Sequence, residues 1–178
     1  MRWPIFTKSA KHREAGGKFA EKSLPLRRHE QRRKCSKVMA WIQKEIRLDP
    51  KRRGFHLVTR EIMSQITEIK MFSVGLAHIF LQHSSASLAL NENADPTVRQ
   101  DMESHFNMMV PEGAPYYLHT YEGADDMPAH IKAVILGSSL LIPINNGRLN
   151  LGTWQGIYLC EHRDRARGRH LVVTLHGE

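Results

Sequence analysis

The chain has 178 residues with a net charge of +8, and it is 41% apolar and 25% charged. That length fits one domain with a tail and is enough for a hydrophobic core. No apolar run reaches the ~18 residues that a membrane-spanning helix needs. Two cysteines, Cys35 and Cys160, supply neither a disulfide framework nor a four-cysteine zinc site, so the expectation is a reduced, cytoplasmic protein.

The charge is unevenly spread. Residues 1–38 carry twelve Lys and Arg against three acids, and residues 39–178 carry fourteen against fifteen. The basicity belongs to the leader, so nucleic-acid binding by the folded part is not expected. The leader has few apolar residues, a Gly16-Gly17 pair and no sustained period, and reads as disordered. A basic arm, a targeting peptide and upstream sequence before a true start at Met39 all fit it. The last is preferred, because regular structure is expected directly from Met39.

From there, Ile42, Ile46 and Leu48 fall at even spacing in 41–48, the mark of a half-buried strand. Asp49 to Gly54 is a loop. Thr59 is a candidate N-cap for a helix whose Ile62, Ile66 and Ile69 form one stripe. Residues 74–82 are nearly all apolar and suit a central strand, and 87–91 suit the next. Asp95-Pro96 is a helix start, Asp accepting free amide hydrogens and Pro taking the first turn. Val98, Met102, Phe106 and Met109 then trace its apolar stripe. Residues 110–126 are loop-like, and 126–128 open a short helix carrying Ile131, Val134 and Ile135. The chain closes with three strands: 139–144; one from Arg148 to about Glu161, bent at Gly152 or Gly156; and 170–175. Asn146-Gly147 is the hairpin turn, since both residues tolerate positive φ. Strands outnumber helices and hairpins favour antiparallel pairing, so the class is α+β, with a mainly antiparallel β core and two to three helices.

Polar chemistry concentrates in three places. Gln82-His83-Ser84-Ser85-Ala86-Ser87 follows the most apolar strand, where a strand end presents an acid–base group together with hydroxyls; a serine turn bonding its own backbone fits equally. Asn91-Glu92-Asn93-Ala94-Asp95 precedes a helix, where Asn93 would orient a ligand or an imidazole and Asp95 is a cap. The densest run, His119 to His130, holds two imidazoles and the carboxylates of Glu122, Asp125 and Asp126. These donors suit zinc, manganese or iron, and the paired Asp suits magnesium on a diphosphate. A solvated acidic loop is the alternative, and the two histidines converge only if that loop folds back. Gly152-Thr153-Trp154-Gln155-Gly156 adds two glycines that permit close backbone approach, or else marks a bulged strand with a core Trp. Glu161 to Arg169 reads mostly as a solvated turn, with one Arg able to pair with phosphate.

Taken in order, these runs resemble the YjbQ family, also called secondary thiamine-phosphate synthases. The resemblance rests on Gly54 to Thr59, Gln82 to Leu88, Asn91 to Pro96, Tyr121 to Lys132, Gly152 to Ile157 and Leu175 to Glu178. The family's His-Thr-Ser-Ala stands here as His83-Ser84-Ser85-Ala86, which keeps the hydroxyl. The resemblance covers 39–178 and implies a compact α+β fold, a homotrimer with polar pockets near subunit contacts, and an activity joining an aminopyrimidine diphosphate to a thiazole phosphate with release of pyrophosphate. The expected site has His83, Ser84, Ser85, Asn93, Glu122 and Asp126 as catalytic residues. Thr153, Gln155 and Arg163 contact a small phosphorylated substrate, and His119, His130 and Asp125 hold a divalent metal. That metal is magnesium with the diphosphate, or zinc, manganese or iron at the histidines. A non-enzymatic trimer binding a metal or small ligand, and a metal-dependent phosphate-ester hydrolase, are the alternatives.

Overall fold

The structure, a computed structural model, describes residues 39–178. The expectations for the basic leader lie outside these residues.

Two antiparallel sheets and three helices make up the described chain, as the α+β reading expects. The five-stranded sheet contains β1 (Ala40–Leu48), β3 (Val74–Leu81), β5 (Ser139–Asn145), β6 (Arg148–Leu149) and β8 (Arg169–Gly177), in the order β1-β8-β3-β5-β6. The apolar run 74–82 is therefore the central strand. The smaller sheet is β2 (Gly54–Leu57), β7 (Gln155–Glu161) and β4 (Ala86–Glu92), in the order β2-β7-β4.

Alternation along β7 explains the layering. Ile157 and Leu159 turn toward the five-stranded sheet and join Ile46, Ile79, Ile142 and Val173. Tyr158 and Cys160 turn the other way, onto Phe55 and Phe106, as a period of two requires. β7 is buried on both faces, so its apolar residues run without a break. The main core is closed by α1 (Thr59–Gln65) and the 3₁₀ turn Thr67–Met71, whose Ile62, Ile66 and Ile69 are the predicted stripe. On the opposite face of the small sheet lie α2 (Pro96–Met109) and α3 (Asp126–Leu136). Asp95 caps α2 by accepting from Thr97 N at 2.8 Å.

Four expectations are corrected. Thr59 is the first residue of α1 rather than its cap; its Oγ1 accepts the Ile157 N–H at 2.8 Å and pins the helix to β7. The segment 148–161 is not one bent strand: β6 and β7 belong to different sheets, and 150–154 carries the chain between them. On α3 the apolar side is outward, Val134 being 84% and Ile135 54% exposed, while Asp126, Ala129 and Lys132 face inward. Of the run from Glu161 to Arg169, read as a solvated turn, Glu161, His162 and Arg169 are buried. A fork of two hydrogen bonds from Arg169 to the Glu161 carboxylate (2.7 and 2.5 Å) makes that burial tolerable. The hairpin reading of Asn146-Gly147 is met, with φ of 48° and 73°.

Candidate functional site

His119, Asp126 and His130 converge at the N-terminal end of α3, with one donor atom from each lying within 4.8 Å of the others. Asp126 and His130 are one helical turn apart and share a face. His119 reaches them because the loop before α3 folds back. Its Nε2 lies 2.8 Å from Asp126 Oδ2, and His130 Nε2 lies 3.4 Å from the same oxygen.

The tautomer of His130 is set by its other nitrogen. Nδ1 lies 3.0 Å from the Ser84 carbonyl oxygen. A carbonyl only accepts, so Nδ1 carries a proton and a neutral ring turns its Nε2 lone pair toward Asp126. A lone pair and a carboxylate oxygen facing each other repel unless a proton or a metal cation lies between them. The carboxylate is 1% exposed, so water cannot relieve this.

Arg163 organises the acidic side. It pairs with Asp126 Oδ1, donates from Nε to Asp125 Oδ2 at 3.0 Å, and donates from Nη2 to the Glu122 carbonyl at 2.7 Å. Asp125 also accepts the Asp164 N–H at 2.9 Å. Asp125 thus lies beside the converging trio rather than in it, and Asp126 offers only Oδ2. Glu122 reaches the cluster through its carbonyl, its carboxylate lying 3.9 Å from Arg163 Nη1.

Beside the trio, His83, Ser84, His130, Ala133, Val134, Gly137 and Ser138 line a cavity of about 340 Å³. His83 accepts the His170 N–H on Nε2 at 2.8 Å, which also fixes its tautomer. Burial first, then Arg169 and His170, hold its pKa below the usual imidazole range. Ser85, half-buried, immediately precedes β4.

The remaining expected residues are elsewhere. Asn93, Thr153 and Gln155 sit at the opposite end of the β4–β7 pair, since Glu92 pairs with Gln155 while Ala86 pairs with Glu161. Six residue steps along β4 separate the ends by about 20 Å. Trp154, which the bulged-strand alternative would place in the core, is 64% exposed there.

Sequence reasoning missed a buried polar group behind the site. Ser87 Oγ lies 2.8 Å from His162 Nε2, both enclosed, so no substrate reaches the pair. Burial, with Lys132, Arg169 and Arg53 nearby, lowers the His162 pKa to about 3. Lys132, also enclosed, donates to Asn107 Oδ1 at 2.6 Å, and Arg53 donates to the same oxygen. The one signal in the sequence was position: His162 directly follows the longest fully buried strand stretch, where a turn has not yet reached solvent.

Comparison with known proteins shows the family and the fold. The family described as "UPF0047 protein YjbQ-like" matches residues 44–178. A UPF0047 protein YjbQ of Salmonella typhimurium is 56% identical over 138 residues, covering 78% of this chain and 99% of that protein. Its counterpart from Escherichia coli O157:H7 is 54% identical over the same length. Among solved structures, a YbjQ-like protein of unknown function from Sulfolobus solfataricus superposes with a TM-score of 0.70 at 26% identity, over 79% of this chain and 100% of that one. An uncharacterized conserved protein of the family from Clostridium acetobutylicum gives 0.65 at 36%, over 74% and 98%. The chain belongs to the YjbQ (UPF0047) family.

Proposed function

We propose that the chain is a divalent-metal enzyme acting on a small phosphorylated substrate, with His119, Asp126 and His130 as metal ligands. One observation carries the reading: the His130 Nε2 lone pair and Asp126 Oδ2 face each other at 3.4 Å with His119 Nε2 alongside. Two imidazoles and one carboxylate oxygen suit zinc, manganese or iron better than magnesium, which prefers oxygen ligands. A bound cation would polarise a phosphoryl oxygen or lower the pKa of a bound water. Arg163, with its guanidinium taken by the two Asp side chains and the Glu122 carbonyl, acts as a positioning residue. His83, Ser84 and Ser85 border the adjacent cavity and would orient phosphate oxygens.

Within that class we infer the family's thiamine-phosphate-forming transfer. The C–O bond to the diphosphate breaks, a C–N bond to the thiazole forms, and pyrophosphate leaves with the electron pair. The protein's part is alignment of the two rings and stabilisation of the departing charge. Hydrolysis of a phosphate ester is the second reading, favoured by the exposure of the trio's His119 side and of Ser84, which leaves room for water. A homotrimer belongs to the same proposal.

The test combines metal analysis with product analysis. The full chain and a His119→Ala/His130→Ala variant are assayed for metal content, thiamine phosphate and free phosphate. Metal and thiamine phosphate in the parent alone support the transfer. Metal with free phosphate alone moves the assignment to hydrolysis. Equal metal content in parent and variant sinks the proposal.

A further inference from the structure

A groove between β2 and α2 holds a cation without a counterion. Arg53, Phe55, His56, Pro96, Arg99 and Ser104 border this space of about 490 Å³, a size that suits a small ligand. Arg99 is half-buried, and its Nη1 is closed off from solvent with no hydrogen-bond partner among the described residues. A shielded donor on a charged group is costly to leave unpaired. Asp95 feels the Arg99 charge without pairing with it, its Oδ1 accepting instead from Thr97 N and Thr97 Oγ1, both at 2.8 Å. Arg53, the other arginine of the groove, is fully engaged. Its Nε donates to Glu103 at 3.0 Å, its Nη1 to Asp164 at 3.3 Å and to Glu112, and its Nη2 to Asn107. His56 is turned onto its own chain, Nε2 lying 2.6 Å from the Arg52 carbonyl oxygen.

The geometry points to this groove as a binding site for a small monocarboxylate. The carboxylate pairs with the Arg99 guanidinium, whose planar fork matches its two oxygens. The Ser104 hydroxyl donates to it, and Phe55 and Pro96 flank its short apolar body. Charge sets the class. Arg99 brings one uncompensated positive charge, whereas Arg53 is already outnumbered by Glu103, Glu112 and Asp164. One negative charge is balanced there, and the second charge of a phosphate dianion would face those carboxylates. The inference does not rest on the metal-centre reading. The groove's helix α2 packs on β2 and the trio's helix α3 packs on β4, the opposite edges of the small sheet.

The test is ligand-observed NMR titration of the full chain with butyrate, with neutral butyramide as comparator and inorganic phosphate as competitor, at constant ionic strength and about pH 8. Saturable butyrate binding is expected. It should be about tenfold weaker or more for butyramide and for Arg99→Gln, each of which loses the charge-assisted bonds. Arg99→Lys keeps the charge without the fork and is expected to fall between. Phosphate is expected to displace butyrate no better than chloride does. Binding is expected to persist unchanged in His119→Ala/His130→Ala, and circular dichroism of each variant establishes that the fold is retained. No saturable binding, equal binding of acid and amide, or full binding in Arg99→Gln overturns the inference. Displacement by phosphate at lower concentration than butyrate overturns the monocarboxylate class. Binding lost in the histidine variant but kept in Arg99→Gln puts the carboxylate at the trio and overturns the inference too. Metal content, measured on the same samples, reports the metal reading separately.

Discussion

Ser87 and His162, 75 positions apart, meet at 2.8 Å inside the protein, and their burial carries a pH dependence. The folded state holds His162 neutral down to about pH 3, whereas an unfolded imidazole protonates near 6.5. Between those values the unfolded chain binds a proton that the folded chain refuses, so stability falls as pH drops below 6.5. The expected slope from this group is about 1.4 kcal/mol per pH unit. Urea denaturation at several pH values between 7 and 4 measures it, and a His162→Gln variant is expected to show a shallower slope. Removing the partner by Ser87→Ala leaves a buried ring nitrogen unpaired and is expected to cost about 1–3 kcal/mol at pH 7. Cys160 gives a second residue-scale expectation. Burial raises its thiol to about 12, so alkylation followed by mass mapping should leave Cys160 unlabelled in the folded protein and label it in denaturant. Of the converging trio, His119 and His130 were named from the sequence as metal ligands together with Asp125, while Asp126 was named as catalytic. Which Asp of the pair converges with the histidines was not legible, because it is decided by partners from a distant strand end: Arg163 takes Oδ1 of Asp126 and leaves Oδ2, whereas Oδ2 of Asp125 accepts from both Arg163 and the Asp164 N–H.

At the scale of elements, periodicity located strands and helices well where one face is buried and the other exposed. It failed on α3, where the outward face is apolar and the inward face holds Asp126 and Lys132. The sequence pattern records only that a stripe exists, and the element packed against it decides which way the stripe turns. It also failed at 150–154, since a chain leaving one sheet for another keeps the local look of an extended strand. Gly156 lies where that crossing ends. Gly156→Ala would set a methyl 2.6 Å from Leu57 Cδ2, and overpacking of this kind is expected to cost about 1–3 kcal/mol. The urea midpoint checks this, and pairing it with Leu57→Ala, which vacates the space, should recover part of the loss.

For the whole molecule, the outer face of the five-stranded sheet is the feature most at odds with a lone chain. Trp41, Val74, Leu76, Phe80 and Leu141 are all exposed on it. The register sets Leu76 opposite Pro143 and His176, and Trp41 opposite His176, so Trp41, His176, Leu76 and Pro143 form one row across four strands. Such a face marks an interaction surface, and the expected occupant is the same face or a neighbouring one on further copies of this chain. Light scattering should give three times the chain mass for the parent. Leu141→Lys is expected to shift it toward one, with the circular dichroism spectrum unchanged.

The sequence by itself determined the composition class, the α+β alternation of periods, the Asn146-Gly147 turn, the Asp95-Pro96 helix start and the residue types that meet at His119, Asp126 and His130. Each of these depends on neighbours within a few positions, or on side-chain chemistry alone. Only the tertiary structure decided that β6 and β7 lie in different sheets, that Asp126 rather than Asp125 faces the histidines, and that Asn93 and Gln155 stand at the opposite strand end from His130. Those outcomes follow from register and from long-range pairing, as when Glu92 falls opposite Gln155 and Ala86 opposite Glu161. A one-residue slip in a sheet turns every side chain to the other face, so the placement of a site is fixed by partners far away in the chain.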